Sequence, residues 1–77
     1  VKQSYIGCNI KGGNLAGADL SEVNFTEADI SEATFVDAIL ERANFTKAQA
    51  INTNFQHARL TAACLEAWNI DSTTQLE

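Results

Sequence analysis

Residues 8–67 read as twelve consecutive blocks of five: CNIKG, GNLAG, ADLSE, VNFTE, ADISE, ATFVD, AILER, ANFTK, AQAIN, TNFQH, ARLTA and ACLEA. The middle residues are Ile10, Leu15, Leu20, Phe25, Ile30, Phe35, Leu40, Phe45, Ala50, Phe55, Leu60 and Leu65, and only Ala50 is not large and apolar. The first position is small: alanine in eight blocks of twelve, with Cys8, Gly13, Val23 and Thr53 in the others. The second is often Asn or Asp. A period of five suits neither regular element. Five helical residues advance about 500°, which would sweep the apolar stripe around the whole surface. In a strand, an odd period flips the apolar residue to the other face at each block. The chain must therefore turn once per block. Positions one and three share a face of a short extended segment. Turning after each segment keeps one small and one large residue facing a common interior, with the other three positions facing water.

The number of sides follows from what stacks on what. In a parallel coil, residues one full turn apart lie over each other. Among the thirteen middle positions from Tyr5 to Leu65, ten pairs are fifteen apart, as three sides would require, and none is identical. Nine pairs are twenty apart, as four sides would require. Five of these are identical: Ile10/Ile30, Leu20/Leu40, Leu40/Leu60, Phe25/Phe45 and Phe35/Phe55. Four sides is the consistent solution, with phenylalanine ladders on two opposite walls and aliphatic ladders on the other two. Surface charge follows the same register. Glu22, Glu27, Glu32 and Asp37 end four successive blocks, and Arg42, Lys47, Asn52 and His57 stand twenty residues later. Three of the four acids are thus expected beneath a base, at a strand spacing of about 4.8 Å that favours cross-strand pairs.

These blocks resemble the pentapeptide-repeat proteins, whose pattern is A(D/N)LXX; ADLSE, ADISE and ANFTK lie close to that ideal. The resemblance implies an all-β fold, a right-handed quadrilateral parallel β-helix (a solenoid) of about three coils of four pentapeptides, with a C-terminal cap. The organisation expected is an N-terminal edge at 1–7, the repeat β-helix at 8–67 and a cap segment at 68–77. The tail ACLEAWNIDSTTQL is similar to a segment that closes or interrupts the repeat in members abundant in cyanobacteria. Two blocks depart from the pattern: AILER has Ile39 where Asn or Asp is usual, and AQAIN has Ala50 at the core centre, with Ile51 as a replacement filler if that corner is distorted. The family implies little about activity. A minority of members imitate duplex DNA and bind DNA gyrase, and fold does not confer function.

Composition bounds the rest. Seventy-seven residues make one small domain or a piece of a larger protein. No run of about 18 apolar residues is present to span a membrane, and no signal peptide opens the chain, which points to the cytoplasm for a chain that begins at Val1. The net charge of −5 argues against a nucleic-acid or anionic-membrane partner. No enzymatic activity and no cofactor or metal site is expected. The single histidine, His57, reads as a surface residue over Asp37 rather than a base, because a base needs a positioned nucleophile. Ser21, Thr26, Ser31 and Thr46 fall at positions expected to be exposed. Cys8 is expected to pack inward and Cys64 to face out, about 13 Å apart along the axis, too far for a disulfide. Gly12, Gly13 and Gly17 are expected to ease tight corners. The sequons at Asn24 and Asn44 arise automatically from the block pattern.

Three features bear on function. Asp19, Glu22, Glu27, Asp29, Glu32, Asp37 and Glu41 form an acidic ring, the basis for an alternative reading as a DNA-mimic regulator of a type II topoisomerase such as gyrase. Geometry opposes it, since the ring girdles the axis whereas DNA carries its charge along the axis. Trp68 falls at a small inward position, so the coil should end or change there, with Trp68, Ile70 and Leu76 forming an end cap or a partner contact. The N-terminal edge offers only Tyr5 and Ile6 as cover, with Gln3 where a small apolar residue belongs. That end is expected to be open over Ile10, Leu15 and Leu20, and to serve for homodimerisation or for joining upstream sequence. The leading reading is a structural or protein–protein interaction module with an unidentified protein partner.

Overall fold

The computed structural model describes residues 3–76. Its unit is the turn that the five-residue period demands. The carbonyl of each middle residue from Tyr5 to Leu65, Ala50 excepted, accepts from the amide three residues on, as in Ala28 N to Phe25 O at 2.9 Å and Ala43 N to Leu40 O at 3.1 Å. The last residue of each block lies in the left-handed region: Gly7, Gly12 and Gly17 at φ of 68°, 75° and 72°, then ten non-glycines from Glu22 to Ala67 at 57–63°. Positive φ at the third turn residue alone defines a type II turn. For an L-residue this conformation costs about 1–2 kcal/mol, so the ten non-glycine corners are held there by the coil rather than by preference. The Asn/Asp of position two acts locally. Its side-chain oxygen accepts the amide two residues on: Lys11 N to Asn9, Ala16 N to Asn14, Thr26 N to Asn24, Thr46 N to Asn44 and Gln56 N to Asn54, at 2.9–3.1 Å. This Asx-turn starts those corners, and the corners after Ile39, Gln49, Arg59 and Cys64 form without one.

Parallel bridges join residues twenty apart, from Ser4 with Asn24 through Gln49 with Asn69. Each is a single-residue bridge, because the chain turns before a second can form beside it. Asn24 N donates to Gln3 O at 3.0 Å, and Tyr5 N donates to Asn24 O at 2.7 Å; the same pair of bonds recurs on all four walls. Inside, Phe25, Phe35, Phe45, Phe55, Ile30, Leu40 and Thr53 are fully buried. Phe25 stacks on Phe45 at 5.2 Å and Phe35 on Phe55 at 5.0 Å, while rings from the two opposite walls meet edge to face at 5.8–6.4 Å. Both arrangements suit the aromatic quadrupole.

Several sequence expectations are corrected here. Cys8 is exposed, not packed, because the inward position of the first turn has no neighbour on its N-terminal side. Gly13 is not among the positive-φ residues; it fills a small inward position, where an added Cβ would lie 2.8 Å from Ile10 Cγ2. Ser31 is buried, and its Oγ accepts from Ile51 N at 3.3 Å. Ser21, Thr26 and Thr46 are half-buried, since their hydroxyls fold back onto the Asp19, Asn24 and Asn44 side chains. Ile51 is only half-buried and is not packed against the core. The Asn52 corner keeps φ at 58°, so no distortion brings Ile51 inward. Polar groups adapt to Ala50 instead. Thr74 Oγ1 donates to Ala50 O at 2.7 Å, and the buried Thr53 Oγ1 donates to Ile30 O at 2.8 Å.

The ladder also enters both flanking segments. It begins at Ser4 and runs to Asn69, and then Asn54 pairs with Gln75, a spacing of twenty-one. The extra residue is absorbed in a turn closed by Thr74 N to Asp71 O at 3.1 Å.

Candidate functional site

The two ends of the ladder differ from its middle in what they leave unsatisfied. At each inner bridge, the amide and carbonyl of position two both engage the preceding turn, as Asn24, Asp29, Thr34 and Ile39 do. Ser4, Asn9, Asn14 and Asp19 occupy the same place in the first turn, and their amides have no backbone partner among the described residues. They ring an apolar opening of about 330 Å³ lined by Tyr5, Cys8, Asn9, Ile10, Leu15, Leu20 and Phe25. Tyr5 stacks on Phe25 at 5.5 Å, and its hydroxyl donates to Gln3 Oε1 at 3.1 Å. Ile6 is 54% exposed.

At the other end, the half-buried Trp68 indole leans on Phe45 at 5.8 Å and Phe55 at 5.6 Å. Ile70 and Leu76 remain 36% and 46% exposed. The amides of Leu60 and Leu65 correspond to those with which Leu40 and Phe45 reach the next turn, but have no backbone partner among the described residues. Sequence reasoning placed the interface candidates at the ends. It missed that the one-residue insertion lets residues 74–76 continue a wall, a signal carried only by the spacing of Thr74 and Leu76.

The acidic ring is dispersed. Glu22, Glu27, Glu32 and Asp37 sit at four successive corners and Glu41 in the next, while Asp19 and Asp29 lie on the walls between corners. Arg42 Nε meets Glu22 Oε2 at 3.2 Å, as the twenty-residue register predicts, while Arg59 Nη1 lies 3.9 Å from Glu41 Oε2, an unanticipated pair. Among the described residues, Glu27 with Lys47 and Asp37 with His57 do not close to ion-pair distance. Their side chains at these exposed corners are long or solvated enough to stay apart, as is common for surface charges. The Glu22–Arg42 pair borders a polar groove of about 440 Å³ with Gln3, Ser4, Asn24 and Asn44.

Among the described residues, Asp19, Asp71 and Cys64 titrate below their ordinary values. The Ser21 hydroxyl, then its amide, stabilises the Asp19 carboxylate. The Thr73 hydroxyl does so foremost for Asp71, helped by the Thr73 and Asn52 amides and the Thr74 hydroxyl. The Thr46 hydroxyl and then the Glu66 amide draw down the Cys64 thiol; Thr46 Oγ1 lies 3.3 Å from Cys64 Sγ. For Asp19 the bonds lie within its own turn, whereas the Thr46 contact of Cys64 crosses between stacked turns. Among the described residues, no group of three His, Cys, Asp or Glu is placed to hold a metal ion.

Comparison with known proteins places this geometry. The family model for pentapeptide repeats matches the chain in eight copies, over residues 6–42 and 28–66, and the chain belongs to that family. Pentapeptide-repeat proteins fold as right-handed quadrilateral β-helices, and they are in general non-enzymatic repeat scaffolds with structural or protein-interaction roles. Similar solved structures come from cyanobacteria and a plant. One is HetL, a pentapeptide repeat protein involved in heterocyst differentiation regulation from Nostoc, with 23% identity over 88% of this chain and 38% of that one, at a TM-score of 0.35. Another is a pentapeptide repeat protein from Cyanothece, with 22% identity over 99% of this chain and 60% of that one, at a TM-score of 0.33. A third is from the Arabidopsis thaliana thylakoid lumen, with 24% identity over 97% of this chain and 59% of that one, at a TM-score of 0.41. The chain thus spans less than two thirds of each. Comparison with curated proteins found no match.

Proposed function

We infer that this chain is a non-enzymatic structural or protein–protein interaction module, a β-helix of about three coils whose C-terminal end is capped by Trp68. The observation that carries this reading is where apolar surface is left over. Among the described residues, the large hydrophobics that remain exposed are Ile6, Ile70 and Leu76, all at the ends of the coil, while most position-two Asn and Asp side chains along the walls are engaged by their own turns. Exposed apolar surface beside unpaired backbone marks a contact surface. A photo-crosslinking residue placed at position 6 or 76 is expected to capture protein partners in cells, and one placed at position 37, on a side wall, is not. Equal capture from all three positions would overturn the reading.

The alternative, DNA mimicry directed at a gyrase-like enzyme, fits the charge less well. Over the 31 Å of the molecule's longest dimension, duplex DNA presents about 18 charges. This chain has 10 acids against 5 bases, two of the acids within reach of arginines. A supercoiling assay with gyrase is expected to show no inhibition at tens of micromolar protein.

A further inference from the structure

The two ends of this coil fit each other. The bond pattern has a direction: position two of one turn offers its amide and carbonyl toward the N-terminal edge, and the turn before it answers with the carbonyl of position one and the amide of position three. The N-terminal edge of the molecule exposes the first set, at Ser4, Asn9, Asn14 and Asp19. The C-terminal edge exposes the second, including the amides of Leu60 and Leu65. Setting one copy's N-terminal edge on another's C-terminal edge extends the ladder on three of the four walls, where Ser4 follows Cys64, Asn9 follows Asn69 and Asn14 follows Gln75.

In that register three of the four columns match. Tyr5 falls over Leu65, Ile10 over Ile70 and Leu15 over Leu76, apolar on apolar, while on the fourth wall Leu20 and Leu60 stand two strand spacings apart. Lys11, the single charged residue among 3–18, falls over Asp71 in the column it shares with Ser31 and Ile51. Trp68, too large for its own inward position and half-buried, stands in the column of Cys8, which is exposed at the rim of the N-terminal opening. The indole has a socket in the next copy, walled by Tyr5, Ile10, Leu15 and Leu20 and floored by Phe25. A head-to-head contact of two N-terminal edges would instead pair identical donor sets antiparallel and would not bring Trp68 to the opening.

We propose that the unassigned partner of each end is a second copy of this chain, stacked head to tail, with Trp68 of one copy seated in the apolar opening of the next. Such a contact is heterologous and does not close, so the product is a concentration-dependent column rather than a fixed dimer. The proposal rests on the reading of the ends as contact surfaces and names their occupant.

Ser4 and Cys64 share the outward column of one wall. Across a head-to-tail junction they are one strand spacing apart, about 4.8 Å, within disulfide range. Within one chain they are three spacings apart, roughly 14 Å. In a Ser4→Cys, Cys8→Ser protein, mild oxidation is expected to give a reducible series of dimer, trimer and higher species. Adding Cys64→Ser is expected to abolish it. All three positions are exposed in the monomer, so folding is not at stake. Dimers that persist without Cys64 would establish head-to-head contact, and monomer alone at hundreds of micromolar would show no self-association; either overturns the proposal. Capture of foreign proteins from position 6 with no such series would refute only the occupant and leave the interaction reading standing. The unaltered chain should sediment with a mass that rises with concentration, accompanied by a blue shift of Trp68 emission. Lys11→Glu should raise the concentration required by about two- to five-fold, the worth of one cross-strand charge pair.

Discussion

Phe45 and Leu65 hold the same position of the same repeat on the same wall, yet one is fully buried and the other is not. Phe45 has Phe25 before it, Leu65 after it and the Phe35 and Phe55 rings across the interior. Leu65 has a neighbour on one side only. The same holds at the other end, where Tyr5, Ile10 and Leu15 are partly exposed although Phe25, Ile30 and Phe35, twenty residues on, are sealed. Position in the block decides which way a side chain points, and position along the axis decides how much water it loses. In a solenoid with so few turns, the second factor governs much of the chain.

The comparison yields predictions of decreasing size. Phe45→Ala should cost about 3–5 kcal/mol, because the rings around it cannot collapse into the space, whereas Leu65→Ala should cost under about 2 kcal/mol, since solvent already reaches the site. Urea unfolding of both variants checks the contrast, and equal losses would show that the ends are as well packed as the middle. Next in size is Thr53→Val. It keeps the shape but removes the buried hydroxyl bond to Ile30 O, for an expected loss of about 1–2 kcal/mol.

The corners sharpen the comparison from another side. Gly12 at φ 75° has nothing within 4 Å of an added Cβ, so Gly12→Val is a pure backbone test, expected to cost about 1–2 kcal/mol. Arg42→Ala should cost at most about 0.5 kcal/mol, less still at high salt, because the pair with Glu22 is open to solvent. The smallest effect is a pH one. Since the folded-state pKa of Asp19 is lowered, its contribution is present above the unfolded carboxyl pKa and fades as pH falls through the folded one. Asp19→Asn should flatten the acid limb of a stability–pH curve slightly, and a larger change near neutrality would contradict the assignment.

The five-residue period dictates one turn per block, and the identity of residues twenty apart dictates four walls. Which residues would be inside followed from these two facts, because a repeat imposes one environment on each of its positions. The Asn/Asp preference at position two was visible in the sequence, but its cause, an Asx bond to the corner amide, is an atomic contact. The left-handed corners at Glu22 through Ala67 were equally hidden, since no residue type marks them once the three early glycines are passed. Tertiary structure alone decided how the irregular blocks settle. The Ala50 carbonyl takes a hydroxyl bond from Thr74 and that of Ile30 one from Thr53, and one extra residue near Asp71 lets the ladder run on to Gln75. It also decided that Cys8, inward by its block position, meets water, and that Glu41 meets Arg59 while Glu27 and Lys47 stay apart. A repeat fixes the neighbours within one turn, but exposure and side-chain pairing depend on what lies above and below, and that is set only when the turns stack.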